Sequence, residues 1–351
     1  MTIKDIARES GYAVATVSRV LNNRPDVSPE AREKIQAVLE AHNFTPNNNA
    51  RHLKQPSSHN IAIIINRTVK GMFNVLFSSI LEEMQIRLKE KGYSCLIYYM
   101  DQGTNEVERA LQLCRERKPL ALIFLGGSAG NFRKSFAEID IPSVFVTKTA
   151  AECGFKNLSN IYTDNVAGAD CAASYLIKNG HENIVILGGD LSISSTARQR
   201  LEGAMRAMQR AGIPFDQDRQ YITAQHIYSS AYEAMNVMLD RVPELTAVFA
   251  QSDVMAIGCI RALQDRNLRV PEDVSIIGYD GTDISSYYCP RLATIRQNAE
   301  QLARRSVDVL IDSLENDAPP VNEIIPFELI PGETVRNIRE PEAVENEDSA
   351  S

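Results

Sequence analysis

A pair of oppositely charged residues in the second half of the chain has the chemistry needed to bind a small polar molecule. Arg200 and Asp280 stand at the ends of predicted helices or strands that border a crevice. A fixed guanidinium and a carboxylate can together bind a polyhydroxylated or heteroaromatic ligand. The alternative is structural, because the two side chains could instead form a salt bridge between domains.

A second motif could support catalysis. Residues 126–130 read Gly-Gly-Ser-Ala-Gly, which fits the G-x-S-x-G nucleophile elbow and follows an apolar strand. His181 or His226 could supply the base of a hydrolase, with acids such as Asp164 and Asp190. The pattern is short enough to occur by chance in a Gly-rich loop, so we expect a protein that is not an enzyme. A dinucleotide enzyme is disfavoured further, because no G-x-G-x-x-G follows the first strand.

The N-terminal region has the pattern of a small helical DNA-binding module. Its first 43 residues read as three short helices, with Gly11 in the turn between the first two. The second helix is predicted from about Val14 to Leu21, with Val17 and Val20 on its apolar face, and the third begins at Pro29 after the cap Ser28. Two helices joined by a short Gly-containing turn suggest a helix-turn-helix, whose second helix enters the major groove. The outward residues of that second helix suit phosphates and base edges, and they are Ala15, Thr16, Ser18, Arg19 and Asn22.

The rest of the chain has the pattern of an α/β protein. From residue 60 onward, continuous apolar strands alternate with amphipathic helices, which indicates parallel sheets covered on both faces. About nine such units exceed one doubly wound sheet. The predicted fold class is therefore a small all-α helix-turn-helix headpiece followed by an α/β body of two doubly wound parallel-sheet subdomains. Ligands of such folds bind in the crevice at the carboxyl ends of the strands.

Charge and composition favour a cytoplasmic DNA-binding protein with a separate sensing domain. The net charge is -8, but residues 1–58 hold eight Lys/Arg and six Asp/Glu, so that segment carries +2 and the remainder -10. No apolar stretch is long enough to cross a membrane, and the N-terminus lacks the pattern of a secretory signal. The six cysteines form no C-x-x-C pair, so we expect buried apolar roles for them, no metal site and no cofactor.

Five sequence stretches resemble those of a known family. They are residues 2–8 and 15–23 in the headpiece and 164–169, 198–203 and 274–280 in the body. Through them, over residues 2 to about 336, the sequence resembles the lactose- and galactose-repressor (LacI/GalR) family. The resemblance implies a transcriptional regulator with a periplasmic-binding-protein-like body, expected to be a repressor. It would bind double-stranded, pseudo-palindromic operator DNA as a homodimer and be associated with the nucleoid.

The resemblance also implies the residues that contact DNA. Val14, Ala15 and Arg19 would face base edges, and residues 46–53 resemble the family's hinge helix, which pushes Leu53 into the minor groove. One departure is Ala13, where the family usually has a serine that caps the recognition helix. The predicted DNA-binding residues are Thr2, Val14, Ala15, Thr16, Ser18, Arg19, Asn22, Asn47, Ala50, Arg51 and Leu53.

The effector would bind between the two lobes of the body, and the resemblance favours a sugar or sugar phosphate over a purine or nucleoside co-repressor. Ser252 stands where the family often has Asn, and His226 stands at an aromatic position, so both departures bear on the identity of the ligand. A lone histidine is more often structural than a ligand contact. The predicted effector-binding residues are Phe73, Asp164, Thr196, Arg200, His226, Ser252, Asp253 and Asp280.

The chain is predicted to contain four regions. The first three are the headpiece (1–46), the hinge helix and linker (47–59), and the effector-binding and dimerisation domain (60–339). Within the third region, the N-subdomain would comprise residues 60–160 and 293–330 and the C-subdomain 161–292, with an acidic, disordered tail at 340–351.

Overall fold

The computed structural model of the chain describes residues 3–21, 27–42, 59–66, 75–100 and 104–339. The chain divides into two compact units, residues 1–58 and 59–351. The described part of the first unit holds three helices: α1 (Ile3–Ser10), α2 (Val14–Leu21) and α3 (Pro29–Ala41). The hinge positions Asn47, Ala50, Arg51 and Leu53 lie outside the described residues, as do Thr2, Asn22 and Phe73.

Local sequence signals account for the three helices of the first unit. Gly11 has a φ of +75°, a conformation that costs glycine little, and so ends α1 in a tight turn. Ser28 accepts a hydrogen bond from the Ala31 backbone N–H and Pro29 is the first residue of α3, as its sequence predicts. The three helices share one small apolar core, formed by Ile6, Ala7, Val17, Val20 and Ile35.

The second unit contains two six-stranded sheets. The first sheet has the order β11-β5-β4-β3-β1-β2 with all its pairs parallel, and the structure built on it is called here the first lobe. Its elements, in chain order, are β1 (Asn60–Asn66), α4 (Val75–Glu90), β2 (Ser94–Met100), α5 (Glu106–Glu116), β3 (Ala121–Leu125), α6 (Ala129–Ser135), β4 (Ser143–Val146), β5 (Leu158–Tyr162) and, after the second lobe, α13 (Ala299–Asn316) and β11 (Asn322–Ile324).

The second lobe is built on the other sheet, of order β12-β10-β9-β8-β6-β7, in which only the β10–β12 pair is antiparallel. Its elements are α7 (Asn165–Lys178), β6 (Ile184–Gly188), α8 (Ser195–Arg210), α9 (Gln217–Gln220), β7 (Tyr221–Thr223), α10 (Tyr228–Arg241), β8 (Ala247–Ala250), α11 (Asp253–Asp265), β9 (Ser275–Asp280), α12 (Asp283–Tyr287), β10 (Ala293–Gln297) and β12 (Phe327–Ile330). The predicted fold class, a helical headpiece followed by two doubly wound parallel sheets, is confirmed.

Each sheet is covered on both faces, as continuous apolar strands require. In β1, Ile61, Ile63 and Ile65 belong to the core cluster that includes α4 and α13. The alternate residues Ala62 and Ile64 belong to a separate cluster that contains α5 and a group of phenylalanines. This alternation follows from the twofold periodicity of a strand, in which successive side chains point to opposite faces of the sheet.

The assignment of the last strands to the two lobes differs from the assignment expected from the sequence. Residues 293–297 and 327–330 were expected in the first lobe, but β10 pairs with β9 and β12 pairs with β10, so both strands belong to the second lobe. The chain returns to the first lobe after β10 and crosses once more before β12. A short apolar strand has the same pattern in either sheet, so only its hydrogen-bonding partner reveals where it belongs.

Cysteine burial also differs from the expectation in part. Cys259 is buried in the second lobe, whereas Cys289 is exposed, so the prediction of a buried role was wrong for Cys289. Cys289 lies in the loop between α12 and β10. Among the described residues, no helix has both the length and the apolar character needed to cross a bilayer.

We predict that Gly203→Ala destabilises the protein by about 1–3 kcal/mol, because it overpacks the contact between α7 and α8. A methyl group at Gly203 would lie 2.1 Å from the Val166 carbonyl oxygen. Urea unfolding monitored by circular dichroism measures the effect. The matched control is Gly130→Ala in α6, whose methyl group would meet only the Ser128 hydroxyl, at 3.5 Å, and which should be neutral or stabilising. Equal unfolding free energies for Gly203→Ala and the parent would contradict this account of the packing.

Candidate functional site

The headpiece exposes the residues predicted to meet DNA. Val17 and Val20 of α2 are buried in the helical core, so the opposite side of the helix is left to solvent. Ala15 and Arg19 are exposed there, and Val14 is 44% exposed although it is apolar. Thr16 is partly buried, and the side chain of Ser18 lies outside the described part of the helix. The helix thus presents small groups and one arginine, which suits the major groove.

The start of α2 lacks a side-chain cap. The carbonyl oxygen of Ala13 accepts hydrogen bonds from the backbone N–H groups of Thr16, at 2.8 Å, and Val17, at 3.1 Å. Alanine has no side-chain oxygen that could accept a further one, so the departure noted in the sequence leaves this helix end less stable than a serine would. The bounds of α2 are nevertheless those that the sequence predicts.

In the body, Arg200 is the centre of a buried polar cluster in the second lobe. Its Nε donates to Asn165 Oδ1 at 2.9 Å, one terminal nitrogen donates to the Gln251 carbonyl oxygen, and the other lies 3.4 Å from Asp280 Oδ1. The guanidinium also lies over the Tyr279 ring, 3.6 Å from its centroid. Both the ligand-binding and the salt-bridge alternatives use this pair, but the ion pair forms within one lobe, so the expectation of an interdomain bridge was wrong.

Asp280 is held in an unusual backbone conformation at the end of β9. Its φ is +106°, in a region that a non-glycine residue occupies only when its surroundings enforce it. Gln297 of β10 donates to its Oδ1 at 2.7 Å. Burial raises the pKa of this carboxyl, and the Arg200 charge opposes the rise. A strained backbone and a carboxylate held by hydrogen bonds are typical of a binding site.

Ser252 and Asp253 are engaged with the protein itself. Ser252 caps α11 by accepting from the Met255 N–H, and it is nearly inaccessible. Both carboxyl oxygens of Asp253 accept hydrogen bonds, Oδ2 from the Thr282 N–H and hydroxyl and Oδ1 from the Thr294 hydroxyl. Burial and then the Asp280 charge raise the pKa of Asp253 to about 7. Both residues are thus held by hydrogen bonds within the second lobe, and the ligand contacts expected of them stay a prediction.

Two predicted site residues lie at helix N-termini in the second lobe. Asp164 caps α7, its Oδ1 accepting from the Ala167 N–H at 2.9 Å. Thr196 lies in the first turn of α8, the helix that carries Arg200, and is partly exposed. Both residues are near the Arg200 cluster in the fold and remain accessible to a ligand.

His226 follows β7, and its protonation is strongly perturbed. Its Nδ1 is buried and has no hydrogen-bond partner among the described residues. Burial, and then the charges of Arg200 and Lys148, lower the pKa of His226 to about 4. The imidazole is therefore neutral at pH 7, able to donate one hydrogen bond and to accept one.

We predict that this histidine makes folding stability depend on pH. Its folded-state pKa lies below the unfolded value, so at this residue the unfolded state binds more protons, and the contribution of His226 to stability falls as the pH drops from about 6.5 towards 4. From about pH 6.5 to 4.5 the loss should be roughly 2 kcal/mol. In His226→Asn this part of the pH dependence should be missing, as measured by urea unfolding at both pH values. Parallel curves for the variant and the parent would contradict the prediction.

Sequence reasoning missed one candidate site residue of the first lobe, Lys148. Lys148 follows β4, and its Nζ donates to the Gly127 carbonyl oxygen at 2.6 Å. Burial lowers the pKa of Lys148 to about 8; the Glu106 carboxylate opposes the shift, and Arg200 and Arg198 add to it. Lys148 is thus close enough to Arg200 and Arg198 of the second lobe to be affected by their charges. Its position directly after a buried strand is the sequence signal that could have identified it.

The Gly126–Gly130 motif forms part of this first-lobe site. The Ser128 backbone N–H donates to Glu106 Oε1 at 2.6 Å, so the loop is anchored to α5. His181, one base considered for a hydrolase, lies in the second lobe, where its ring nitrogens are 3.2 Å from Thr246 Oγ1 and 3.1 Å from the Arg336 carbonyl oxygen. The motif is thus a loop of the cleft.

Comparison with known proteins gives matches along nearly the whole chain. Residues 2–47 match the family described as bacterial regulatory proteins, lacI family, and residues 173–335 match the periplasmic binding protein-like domain. The transcriptional regulator MalR of Clostridium butyricum is 36% identical over 343 residues, which is 96% of this chain and 100% of that protein. The ribose operon repressor of Escherichia coli K12 is 30% identical over 313 residues, 88% and 92% of the two chains.

A solved structure agrees with these matches. The lac repressor dimer bound to operator and an anti-inducer superposes with a TM-score of 0.81 at 27% identity, covering 96% of this chain and 99% of that one. A helix-turn-helix headpiece followed by a two-lobed, periplasmic-binding-protein-like body defines a DNA-binding transcriptional regulator. The chain belongs to the LacI family of bacterial regulatory proteins. This is a family of regulators and not of enzymes, so the G-x-S-x-G pattern has no catalytic meaning here.

Proposed function

We propose that this protein is a repressor that binds a pseudo-palindromic operator as a homodimer. A small molecule bound between its lobes raises or lowers its affinity for that operator. The observation that carries the proposal is the cluster around Arg200, which gathers polar groups at the carboxyl ends of the second lobe's strands. Ligands of doubly wound sheets bind at these ends. The exposed side of α2 supplies the DNA-reading surface.

A dimer follows from the small size of the headpiece. One headpiece offers too little surface for tight specific binding, whereas two headpieces related by a twofold axis read two half-sites of a palindrome. In the related lac repressor structure, a dimer is bound to operator. The predicted contacts of Val14, Ala15, Thr16, Ser18 and Arg19 to DNA belong to this proposal. A DNA-bound regulator acts in the cytoplasm, at the nucleoid.

The effector that we propose is a sugar or sugar phosphate. The relatives include a ribose operon repressor, and the cluster has the guanidinium, carboxylate and neutral imidazole that hydrogen-bond a polyhydroxylated ligand. The direct contacts in the second lobe would be Asp164, Thr196, Arg200, His226 and Asp280, with Phe73 as a wall. Ligand binding would bias the angle between the lobes and so couple the cleft to the headpieces.

The first test is selection of duplexes from a random DNA pool by the full-length protein, followed by fluorescence anisotropy with the enriched sequence. We expect an inverted repeat and a stoichiometry of two chains per duplex.

A thermal-melt screen against sugars, sugar phosphates, nucleobases and nucleosides then identifies the effector class. A ligand present at 100 times its Kd adds about 2.7 kcal/mol to the free energy of unfolding. Failure to enrich any duplex would contradict the proposed repressor, and stabilisation by purines alone would replace the sugar.

A further inference from the structure

One side of α8 is left open to solvent in the second lobe. Its other side packs on α7 through Gly203 and on the core through Ala204 and Met208. The open side carries a stripe of exposed residues at positions 198, 202, 205 and 209, a spacing that lies along one face of a helix. The stripe borders a groove of about 460 Å³, with Leu191, Leu201 and Met205 as its apolar lining and Arg198, Glu202 and Arg206 as its charged lining.

The loop that leads into α8 fixes the position of an exposed isoleucine. Ile193 is 64% exposed, more than any other large aliphatic side chain among the described residues. The carbonyl oxygen of Asp190 accepts from the N–H groups of Ile193, at 3.3 Å, and Ser194, at 2.8 Å, and Arg198 donates to the Leu191 carbonyl oxygen. An exposed apolar side chain on an ordered loop loses little freedom when it is covered, so it is suited to a contact with another molecule.

The charges beside this apolar region are balanced. Asp190 and Glu202 are negative and Arg198 and Arg206 are positive, and all four are exposed. The chain beyond residue 58 carries -10 as a whole, so two bodies repel one another over most of their surface. A region with both signs and no net charge complements itself, whereas it offers no net positive charge to a nucleic acid or an acidic protein. The charge pattern therefore favours a second copy of this chain as the occupant.

The geometry of the stripe suits a twofold contact. In a twofold interface the same surface of both copies meets, and a residue near the axis contacts its own counterpart. An axis near Met205, in the middle of the stripe, would set two α8 helices antiparallel with their stripes facing each other. With 16 residues, α8 is about 24 Å long, so the contact is small and we expect a micromolar or weaker affinity.

We propose that the α8 surface, formed by this groove and Ile193, is a contact between two copies of the chain that joins two operator-binding dimers into a tetramer. The inference rests on the proposed function and goes beyond it, because a tetramer presents headpieces for two operators and so holds two duplexes at once. A chain with two different twofold surfaces assembles into a closed tetramer. The stabilisation comes from covering Ile193 and Met205, whereas the exposed Arg206–Glu202 pair contributes little.

Sedimentation velocity of the full-length protein without DNA, from about 1 to 100 µM, tests the contact. The parent should be dimeric at the low end and associate into tetramers as its concentration rises. Ile193→Glu and Met205→Glu each place a carboxylate in the apolar part of the contact, so tetramer formation should weaken by about tenfold or more. A suitable control is Ile324→Glu, which makes the same change at a 52% exposed isoleucine of the first lobe and should form tetramers as the parent does.

A pair of oppositely charged variants tests whether the contact is between copies. Met205→Glu and Met205→Lys should each remain dimeric, because like charges meet across the twofold axis. An equimolar mixture of the two should form tetramers, because a lysine of one dimer then faces a glutamate of the other. Damage to the fold of α8 would not be repaired by mixing, so recovery of tetramers separates a contact from misfolding.

A bridging assay measures the consequence for DNA. With one duplex of the selected sequence immobilised and a second one labelled, the parent should retain the label, and Ile193→Glu should bind the first duplex without retaining the second. The proposal is overturned if the parent stays dimeric throughout, if the glutamate variants form tetramers like the parent, if they fall apart into monomers, or if the mixture gains nothing. Binding of the parent to a single duplex is measured in parallel, and only its loss counts against the repressor itself.

Discussion

Arg200→Ala is expected to lose about 3–5 kcal/mol of unfolding free energy together with the effector response. The substitution removes every contact of a buried guanidinium and leaves the Asp280 carboxylate without its counter-ion. An uncompensated buried charge costs more than the ion pair itself contributes. Urea unfolding measures the first effect, and operator binding with and without the identified ligand measures the second.

Two further variants separate charge from packing at this site. Adding Asp280→Asn to Arg200→Ala should recover part of the lost stability, because the stranded carboxylate is gone and asparagine tolerates a positive φ. The matched control is Arg206→Ala, which removes an exposed arginine that pairs with Glu202 on the same helix. It should change stability by no more than about 0.5 kcal/mol. An Arg200→Ala protein as stable and as responsive as the parent would refute the role of the cluster.

Leu53→Ala is expected to weaken operator binding by about 100-fold or more, with ligand affinity almost intact. Leu53 lies outside the described residues, and the prediction rests on the resemblance of residues 46–53 to a hinge helix. An apolar wedge in the minor groove kinks the duplex and so brings more protein surface onto it, and alanine is too short for that role. Anisotropy with the selected duplex measures the loss.

The control for this prediction is Leu53→Met, which keeps a long apolar side chain and should stay within about tenfold of the parent. The slope of log affinity against log salt should be the same for all three proteins, because none of the substitutions removes a charge that contacts phosphate. Operator affinity that is equal for Leu53→Ala and the parent would remove the hinge assignment.

Much of the fold could be predicted because its signals are local. The spacing of Val17 and Val20 predicted the face of α2 that packs into the headpiece core, and Ser28 followed by Pro29 predicted the start of α3. In the body, alternating apolar strands and helices were enough to predict two doubly wound sheets. These features depend on side-chain periodicity and on caps, which act over a few residues and can be seen in one sequence.

The candidate site could be predicted only in part, because its other half depends on residues far apart in the chain. Arg200 and Asp280 were predicted from motifs, but Lys148 was not, since its significance comes from its nearness to the Arg200 charge, which is distant in sequence. The sequence also could not show that Thr282 and Thr294 donate hydrogen bonds to the two carboxyl oxygens of Asp253.

The sequence alone identifies the chain as a helix-turn-helix regulator, because motifs and side-chain periodicities can be recognised without a structure. Three things had to wait for the tertiary structure: the sheet to which residues 293–297 belong, the partners of Asp253, and the hydrogen bond from Lys148 to the Gly127 carbonyl oxygen. Each is a contact between segments distant in sequence. The energy of such a contact depends on burial and on distances between side chains, which no local pattern encodes.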